Sequence, residues 1–453
     1  MSEKSLYTRL ISGLIFPLQE KLKKHDTVAI HEAHEKSQWW TPGELERYRL
    51  ERLRRFLQDV GSHVPYYQAL FAQTGFAPER LQNIADLRQL PFLTKSLIRE
   101  NTQALTSTQA VDLARFNTGG SSGEPLIFYI GKERVSHDVA AKWRATRWWD
   151  VDIGDPEIVV WGSPIELGAQ DRMRHLRDSL MRTELLPAFE MSAARLDEFV
   201  ARIRQRRPRM LFGYPSSLSL IARHARKQGI AMNDLGIKVA FVTSERLYDE
   251  QREIIEAVFQ CPVANGYGSR DAGFIAHQCP SGSMHITAED IIVEIVDANG
   301  QPVPPGQAGE IVVTHMATGD FPFIRYRTGD VAVMDDQPCA CGRGLPVLKE
   351  IQGRATDFVI AQDGTVMHGL ALIYTLRDIH GIEAFKIIQE SLQLTRVEIV
   401  VAPHCDLPAA KTRIVRELGA RLGANVEIDV QVVPEIPAEK SGKYRYVISK
   451  VGT

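Results

Sequence analysis

The sequence predicts an α/β protein: a large N-terminal domain of β-sheets flanked by helices over 1–357, and a small α+β domain over 358–453. Three observations predict it. A chain of 453 residues is longer than one hydrophobic core usually organises, so a large unit with a smaller one is expected. Between 193 and 273 strand-length apolar runs alternate with runs at helical spacing, as in layered helices and sheet. After Gly353-Arg354-Ala355-Thr356-Asp357 the pattern starts afresh with Phe358-Val359-Ile360 and an Asp363-Gly364 turn. Helices and strands then follow through a unit of roughly a hundred residues, long enough to be a domain.

Residues 1–110 read mostly as helices. The first apolar run, Leu10-Ile11-Ser12-Gly13-Leu14-Ile15-Phe16-Pro17, is too short to span a bilayer and lacks a small-residue cleavage site, so it is read as a packed helix. Over 44–60, Leu50, Leu53, Phe56, Leu57 and Val60 recur at three- and four-residue spacing, which predicts an amphipathic helix. His63-Val64-Pro65-Tyr66-Tyr67 and Pro91-Phe92-Leu93-Thr94-Lys95 break the helices. A helix over 135–150 carries Trp143, Trp148 and Trp149, read as core, and leads to a buried strand at 158–162. The alternating region follows: helix 195–207, the turn at Gly213-Tyr214-Pro215, helix 218–227, strand 238–242 ending in Thr243-Ser244-Glu245-Arg246, a helix through Phe259, and strand 262–266 ending in Tyr267-Gly268-Ser269-Arg270-Asp271. Polar residues where strands end are where α/β folds keep ligands. From 284 to 350 the chain turns β-rich and carries Arg325-Tyr326-Arg327-Thr328-Gly329-Asp330.

Asn117-Thr118-Gly119-Gly120-Ser121-Ser122-Gly123-Glu124-Pro125 packs three glycines and three hydroxyls into nine positions. Such a backbone can curl its N–H groups inward around a phosphate chain; an ordinary Gly/Ser turn is the plain alternative. Gly123 is followed by Glu124 and Pro125 rather than Lys-Ser or Lys-Thr and a helix, which rules out a Walker-type loop. Apolar content of 44% and charged content of 24% are those of an ordinary globular protein, and a net charge of −2 gives no electrostatic reason to expect nucleic acid or an anionic membrane. A cytoplasmic location is expected, and the oligomeric state is left open. Five cysteines argue against a disulfide framework. Cys279 and His285 on one segment, with Cys339 and Cys341 on another, make the ligand set of a closed tetrahedral Zn²⁺ site, with His277 as a substitute for His285; the alternative is four unrelated side chains.

Taken in order, Thr118 to Pro125, Ser244-Glu245, Tyr267 to Asp271, Tyr326 to Asp330, Gly353-Arg354 to Asp357, and Ser441-Gly442-Lys443 resemble the motifs of the adenylate-forming (acyl-CoA synthetase-like) superfamily. The sequence is most similar to its phenylacetate-CoA ligase branch, with the polysaccharide-biosynthesis-type and coenzyme F390 synthetase-type relatives. The resemblance implies that an acid attacks the α-phosphate of ATP to give an acyl-adenylate and pyrophosphate, and that coenzyme A then takes the acyl group. It also leaves room for an amine or hydroxyl acceptor, or for a non-catalytic nucleotide-binding homologue.

By resemblance, Thr118, Gly119, Gly120, Ser121, Ser122 and Gly123 would hold phosphates, Ser244 and Glu245 would line the adenine pocket, and Tyr267, with Gly268 and Ser269, would face the base. Asp271 would hold Mg²⁺, Asp330 both ribose hydroxyls and Arg354 the ribose and phosphate side, with Tyr214 near the acid. Lys443, three residues from Lys440, would arrive with a mobile C-terminal domain to neutralise the attacked phosphate. Where the superfamily motif usually ends Thr-Glu or Ser-Glu, this chain has Arg270-Asp271, one methylene shorter at the acid. Zinc would be structural, and a similar Cys/His set occurs in some of these relatives.

Overall fold

In the computed structural model, which describes residues 5–117, 126–161, 172–188, 191–297, 299–351, 358–436 and 446–451, local signals set the helical start. Thr41 opens the helix Pro42–His63 with a capping box: its hydroxyl accepts from the Glu44 N–H, and the Glu44 carboxylate accepts from the Thr41 N–H. Leu45, Leu53, Phe56, Leu57 and Val60 make that helix's buried face. The break expected around residues 63–67 narrows to Val64, because Pro65 cannot continue one helix but suits the first turn of the next, Pro65–Thr74. The first apolar run is helical from Leu6 to Leu22 through a π-helical turn at Ile11–Ile15. It is packed on one face only: Thr8, Ile11, Phe16 and Glu20 are its buried residues.

The strands, in chain order, begin with a hairpin of β1 (Ala114–Asn117) and β2 (Ile127–Ile130), Asn117 opposite Ile127. Next come β3 (Glu157–Trp161), β4 (Thr183–Pro187), β5 (Met210–Gly213), β6 (Val239–Thr243) and β7 (Val263–Ser269), which pair in parallel in the order β7-β6-β5-β3-β4. Connecting helices such as Ala193–Arg206, Pro215–Lys227 and Asp249–Phe259 make the crossovers that parallel strands need. Then β8 (Gly273–Gln278), β9 (Met284–Ile286), β10 (Ile291–Val296), β11 (Ala308–His315), β12 (Phe323–Asp335) and β13 (Val347–Ile351) extend the same sheet antiparallel, in the order β10-β11-β12-β13-β9-β8-β7. The alternating region and the β-rich region are therefore not separate sheets: β8 folds back on β7 and joins them into eleven strands.

Two large cores follow. One joins the helical start to β8–β13, with Leu57, Tyr326 and Phe323 fully buried; the other fills the parallel half around Phe199, Leu218 and Phe259. Beyond 358, β14 (Phe358–Ile360) pairs with β15 (Val366–His368) across the expected Asp363-Gly364 turn. A four-stranded sheet then forms from β16 (Ile382–Gln389), β17 (Leu394–Val401), β18 (Glu427–Val432) and β19 (Val447–Ser449), ordered β18-β17-β16-β19. With the helices Leu370–Arg377 and Leu407–Leu422 it encloses a core of its own around Leu372, Val397, Ile414 and Leu418.

Candidate active site and metal centre

The carboxyl edge of β5, β6 and β7 gathers several of the singled-out residues. These strands are parallel neighbours, with Gly213 opposite Val242 and Thr243 opposite Gly266, so the residues just after them emerge side by side. Tyr214 follows β5 and stacks on Trp161 at the end of β3, ring centroids 4.3 Å apart. Ser244 follows β6 with φ of +72°, a left-handed turn uncommon for a residue with a Cβ, which turns the chain sharply at the strand end. The Ser216 hydroxyl donates to the Glu245 carboxylate, tying the start of one helix to the neighbouring strand end. Glycines are needed here for close approach: a Cβ on Gly266 would meet the Phe241 ring at 2.8 Å, and one on Gly268 would meet the Gly273 carbonyl oxygen at 2.2 Å.

Tyr267 crosses to the β-rich half, where its hydroxyl donates to Asp330 Oδ2 at 3.0 Å. Burial first, and then the Asp330 charge, push the Tyr267 phenol well above its ordinary range, so it remains a donor. Asp330 is set by a kink within β12: Gly329 has φ of +77°, the Thr328 hydroxyl donates to Ile311 O at 2.9 Å, and the Asp330 N–H donates to Thr328 Oγ1 at 3.1 Å.

Asp271 is 6% exposed, whereas Arg270 beside it faces solvent. The Asp271 carboxylate accepts from the Ser269 hydroxyl and from Tyr326 Oη at 2.5 Å. Burial raises its pKa, but the Lys95 charge and the donors from Ser269 and Tyr326 outweigh burial and hold it below the ordinary carboxylate range. Oδ1 also accepts from the Ala272 N–H at 3.1 Å, so it is Oδ2, which accepts from Tyr326, that keeps a lone pair with which the ionised group can ligate a hard cation.

Behind this turn lies a buried polar column that the sequence did not reveal. Arg134 donates to the carbonyl oxygens of Asp271 at 3.1 Å and Arg270 at 3.3 Å, and grips Asp138 through Nε. His137, His34, Asp290, Glu289 and Arg144 carry the network to the helical start, with His34 Nε2 at 3.2 Å from Asp290 and Arg144 paired to Glu289. Lys95 and Arg134 are residues of the site that sequence reasoning missed; Tyr326 was named only as the first residue of the motif ending in Asp330, with no role. The Leu93-Thr94-Lys95 break was visible in the sequence, but its pairing with Tyr326 through Leu93 exists only in the fold. Thr118, Gly119, Gly120, Ser121, Ser122, Gly123, Arg354 and Lys443, with Lys440, lie outside the described residues.

The second cluster stands at the seam of β8, β9 and β13. Cys279 follows β8, His285 lies in β9, and Cys339 and Cys341 sit on the turn before β13. Their ligand atoms all lie within 4.8 Å of one another. Cys279 Sγ and Cys339 Sγ are 3.7 Å apart, too far for a disulfide. Two sulfurs on one tetrahedral Zn²⁺, each bonded at about 2.3 Å, stand about 3.8 Å apart. Cys341 Sγ lies 3.2 Å from His285 Nε2, and His285 Nδ1 lies 3.2 Å from Leu345 O, an arrangement that directs Nε2 at the sulfurs. Burial, reinforced by Cys339 and Cys341, pushes the Cys279 thiol up to about 11, while at Cys339 burial is outweighed by the donors from Ser283 and Cys341, which hold the thiol below its ordinary value. Burial, reinforced by Arg343 and Arg144, pushes His285 down to about 4 and so keeps it neutral, the form in which an imidazole ligates a metal; the thiols would give up their protons on binding one. His277, offered as a substitute, is not in this group: it is 2% exposed and stacks on Phe274 instead. A clasp holds the knuckle to the helical start. Arg343 lies between Trp39 and Trp148, 4.8 and 4.4 Å from the ring centres, and its Nε donates to Gln38 Oε1 at 3.0 Å.

Two family models match the chain: "AMP-binding enzyme" over 185–318 and "CapK C-terminal domain" over 359–450. The chain is 24% identical over 452 residues to Protein CapK of Staphylococcus aureus, covering 97% of this chain and 96% of that one. It is 22% identical over 440 residues to phenylacetate-coenzyme A ligase of Thermus thermophilus, covering 89% and 96%. Among solved structures it shares its fold with 2-hydroxyisobutyryl-CoA ligase in complex with 2-HIB-AMP and CoA, at a TM-score of 0.64 and 20% identity over 92% and 91% of the two chains. The AMP-binding model thus spans parallel and antiparallel strands of the large sheet, and the chain is similar to the adenylate-forming ligases, on their phenylacetate-CoA ligase-like branch.

Proposed function

We propose that the protein activates a carboxylic acid of the aryl or acyl class with ATP and then transfers it to coenzyme A. In the first step a carboxylate oxygen bonds to the α-phosphorus and the bond to the β-phosphate breaks, releasing pyrophosphate. In the second the coenzyme A thiolate attacks the acyl carbon and AMP departs. The observation that carries this reading is the convergence on one sheet edge of Tyr214, Ser244, Glu245 and Tyr267, with Tyr267 hydrogen-bonded to Asp330.

On this reading Asp330 takes the two ribose hydroxyls, Tyr267 faces the base, and Ser244 and Glu245 line the adenine pocket. Tyr214 bounds the acid. The ionised, buried Asp271 holds Mg²⁺, which neutralises phosphate charge when bound. The stretch from Thr118 to Gly123 cradles phosphates, Arg354 supports the ribose side, and Lys443 is brought by the C-terminal domain. We further propose that Cys279, His285, Cys339 and Cys341 hold a structural Zn²⁺, with all four positions taken by protein.

Acid-dependent exchange of labelled pyrophosphate into ATP, followed by thioester detection after adding coenzyme A, tests the reading. Exchange with an acid and thioester on addition of coenzyme A is the expected result. Exchange with no thioester assigns the adenylate to an amine or hydroxyl acceptor. No exchange across aryl, hydroxy and short-chain acids makes the chain a nucleotide-binding homologue without catalysis.

A further inference from the structure

The first helix has a face that none of the described residues covers. Leu6, Leu10, Leu14, Leu18 and Leu22 are 83%, 47%, 60%, 56% and 77% exposed. A spacing of four overshoots the α-helical turn by about 40° each time, so an unbroken α-helix would spread five such residues over about 160°. The π-helical turn at Ile11–Ile15 closes one residue later than an α turn and takes back part of that drift, which keeps the leucines closer to one line. The opposite face is anchored: Ile11 is fully buried, and the Thr8 hydroxyl donates to Asp155 at 2.7 Å.

Charge selects the occupant of this face. Between Ser5 and Lys24 the exposed charged residues are Arg9, Lys21, Lys23 and Lys24, all cationic. The one acid in that span, Glu20, is 3% exposed and engaged by Thr27, His25 and Lys23. Beside the helix, Tyr7 donates to Leu180 O at 2.8 Å and carries the Arg182 guanidinium over its ring, adding another apolar and another cationic side chain to the patch. A second copy of the same face would bring cation against cation along both rims, whereas paired helices join opposite charges there. An anionic lipid surface meets both features: leucines enter the acyl boundary while Lys and Arg reach phosphate headgroups. The net charge of −2 hides this local excess. Among the described residues no helix is long and apolar enough to cross a membrane, so the helix would lie in the interfacial plane.

We propose that the helix Leu6–Leu22 docks the protein on anionic bilayers through its leucine face and basic rim. The test is flotation of the full chain with vesicles of phosphatidylcholine alone or mixed with phosphatidylglycerol. Flotation with the mixed vesicles is expected, weakened by high salt. The double variant Leu10→Ser, Leu14→Ser lowers the bound fraction at least about tenfold, and Lys21→Glu with Lys24→Glu lowers it at low salt only. Because all four side chains are exposed, the thermal midpoint stays at the parent value, which separates lost docking from lost folding. No flotation with either vesicle, or flotation indifferent to the leucine changes, overturns the proposal. A lipid-independent dimer dissolved by the same leucine changes overturns it in favour of a second copy.

Discussion

Asp271 and Asp330 are both acids near the carboxyl edge of the sheet, and on the proposed reading their different surroundings suit them to different tasks. Asp271 is sunk against Tyr326 and Ser269 and kept ionised; Asp330 is partly open, with Tyr267 donating to one oxygen. Asp330→Ala is expected to lower pyrophosphate exchange about a hundredfold with little change in thermal midpoint, because positioning contacts of this kind contribute at that scale. Tyr326→Phe takes a donor from Asp271 and raises its pKa towards the ordinary value. Ionisation of Asp271 is then lost at a higher pH as acid is added, so the acid limb of the exchange profile moves up, and a pH–rate series reads that shift. Asp271 and Asp330 were legible in the sequence because each ends or interrupts an apolar run with a polar motif. The contacts of Tyr326 and Arg134 with Asp271 were not: they join residues 55 and 137 positions apart, and only folding makes them neighbours.

Two elements bear on the two proposed sites, the β7–β8 hairpin on the first and the cysteine knuckle on the second. Gly268 leaves no space for a Cβ against the Gly273 carbonyl, so Gly268→Ala should open the hairpin and cost about 2–3 kcal/mol, measured by denaturant unfolding. For the knuckle, Cys339→Ser removes one of four ligands; zinc per chain should fall from one towards zero and the thermal midpoint by several degrees, whereas a metal-free parent protein of unchanged stability would contradict the assignment. Most elements were legible, since the strand at Ile291–Val296 and the helix Pro215–Lys227 follow from apolar runs bounded by turn residues. The union of both halves in one sheet was not, because strand order depends on pairings such as β8 with β7, which no local pattern encodes. Nor was the open face of the first helix: an apolar run at four-residue spacing signals a helix but does not say which side the rest of the protein covers.

The whole molecule carries an unusual load of buried histidine. Burial, reinforced by Arg144 for His277 and by Arg134 for His315, pushes both down to about 3. Unfolded histidine takes its proton near 6.5, so between about 6.5 and 3 the unfolded chain binds protons that the folded chain refuses. Stability fully present above 6.5 is thus lost as pH falls through that window, by about 1.4 kcal/mol per pH unit for each histidine. His277→Phe, with a ring to stack between Phe241 and Phe274, should flatten the dependence by about one proton in urea titrations across pH. At this scale too, the proposed reading has one cation present for adenylation and withdrawn for thioester formation, a task it gives to Lys443 rather than Lys440. The measurement that bears most directly on the account is acid-dependent pyrophosphate exchange in the parent protein, Lys443→Ala and Lys440→Ala. Exchange in the parent and in Lys440→Ala, with loss in Lys443→Ala, is the expected result; a parent protein that exchanges with no acid, or a Lys443→Ala variant that exchanges at the parent rate, would contradict it.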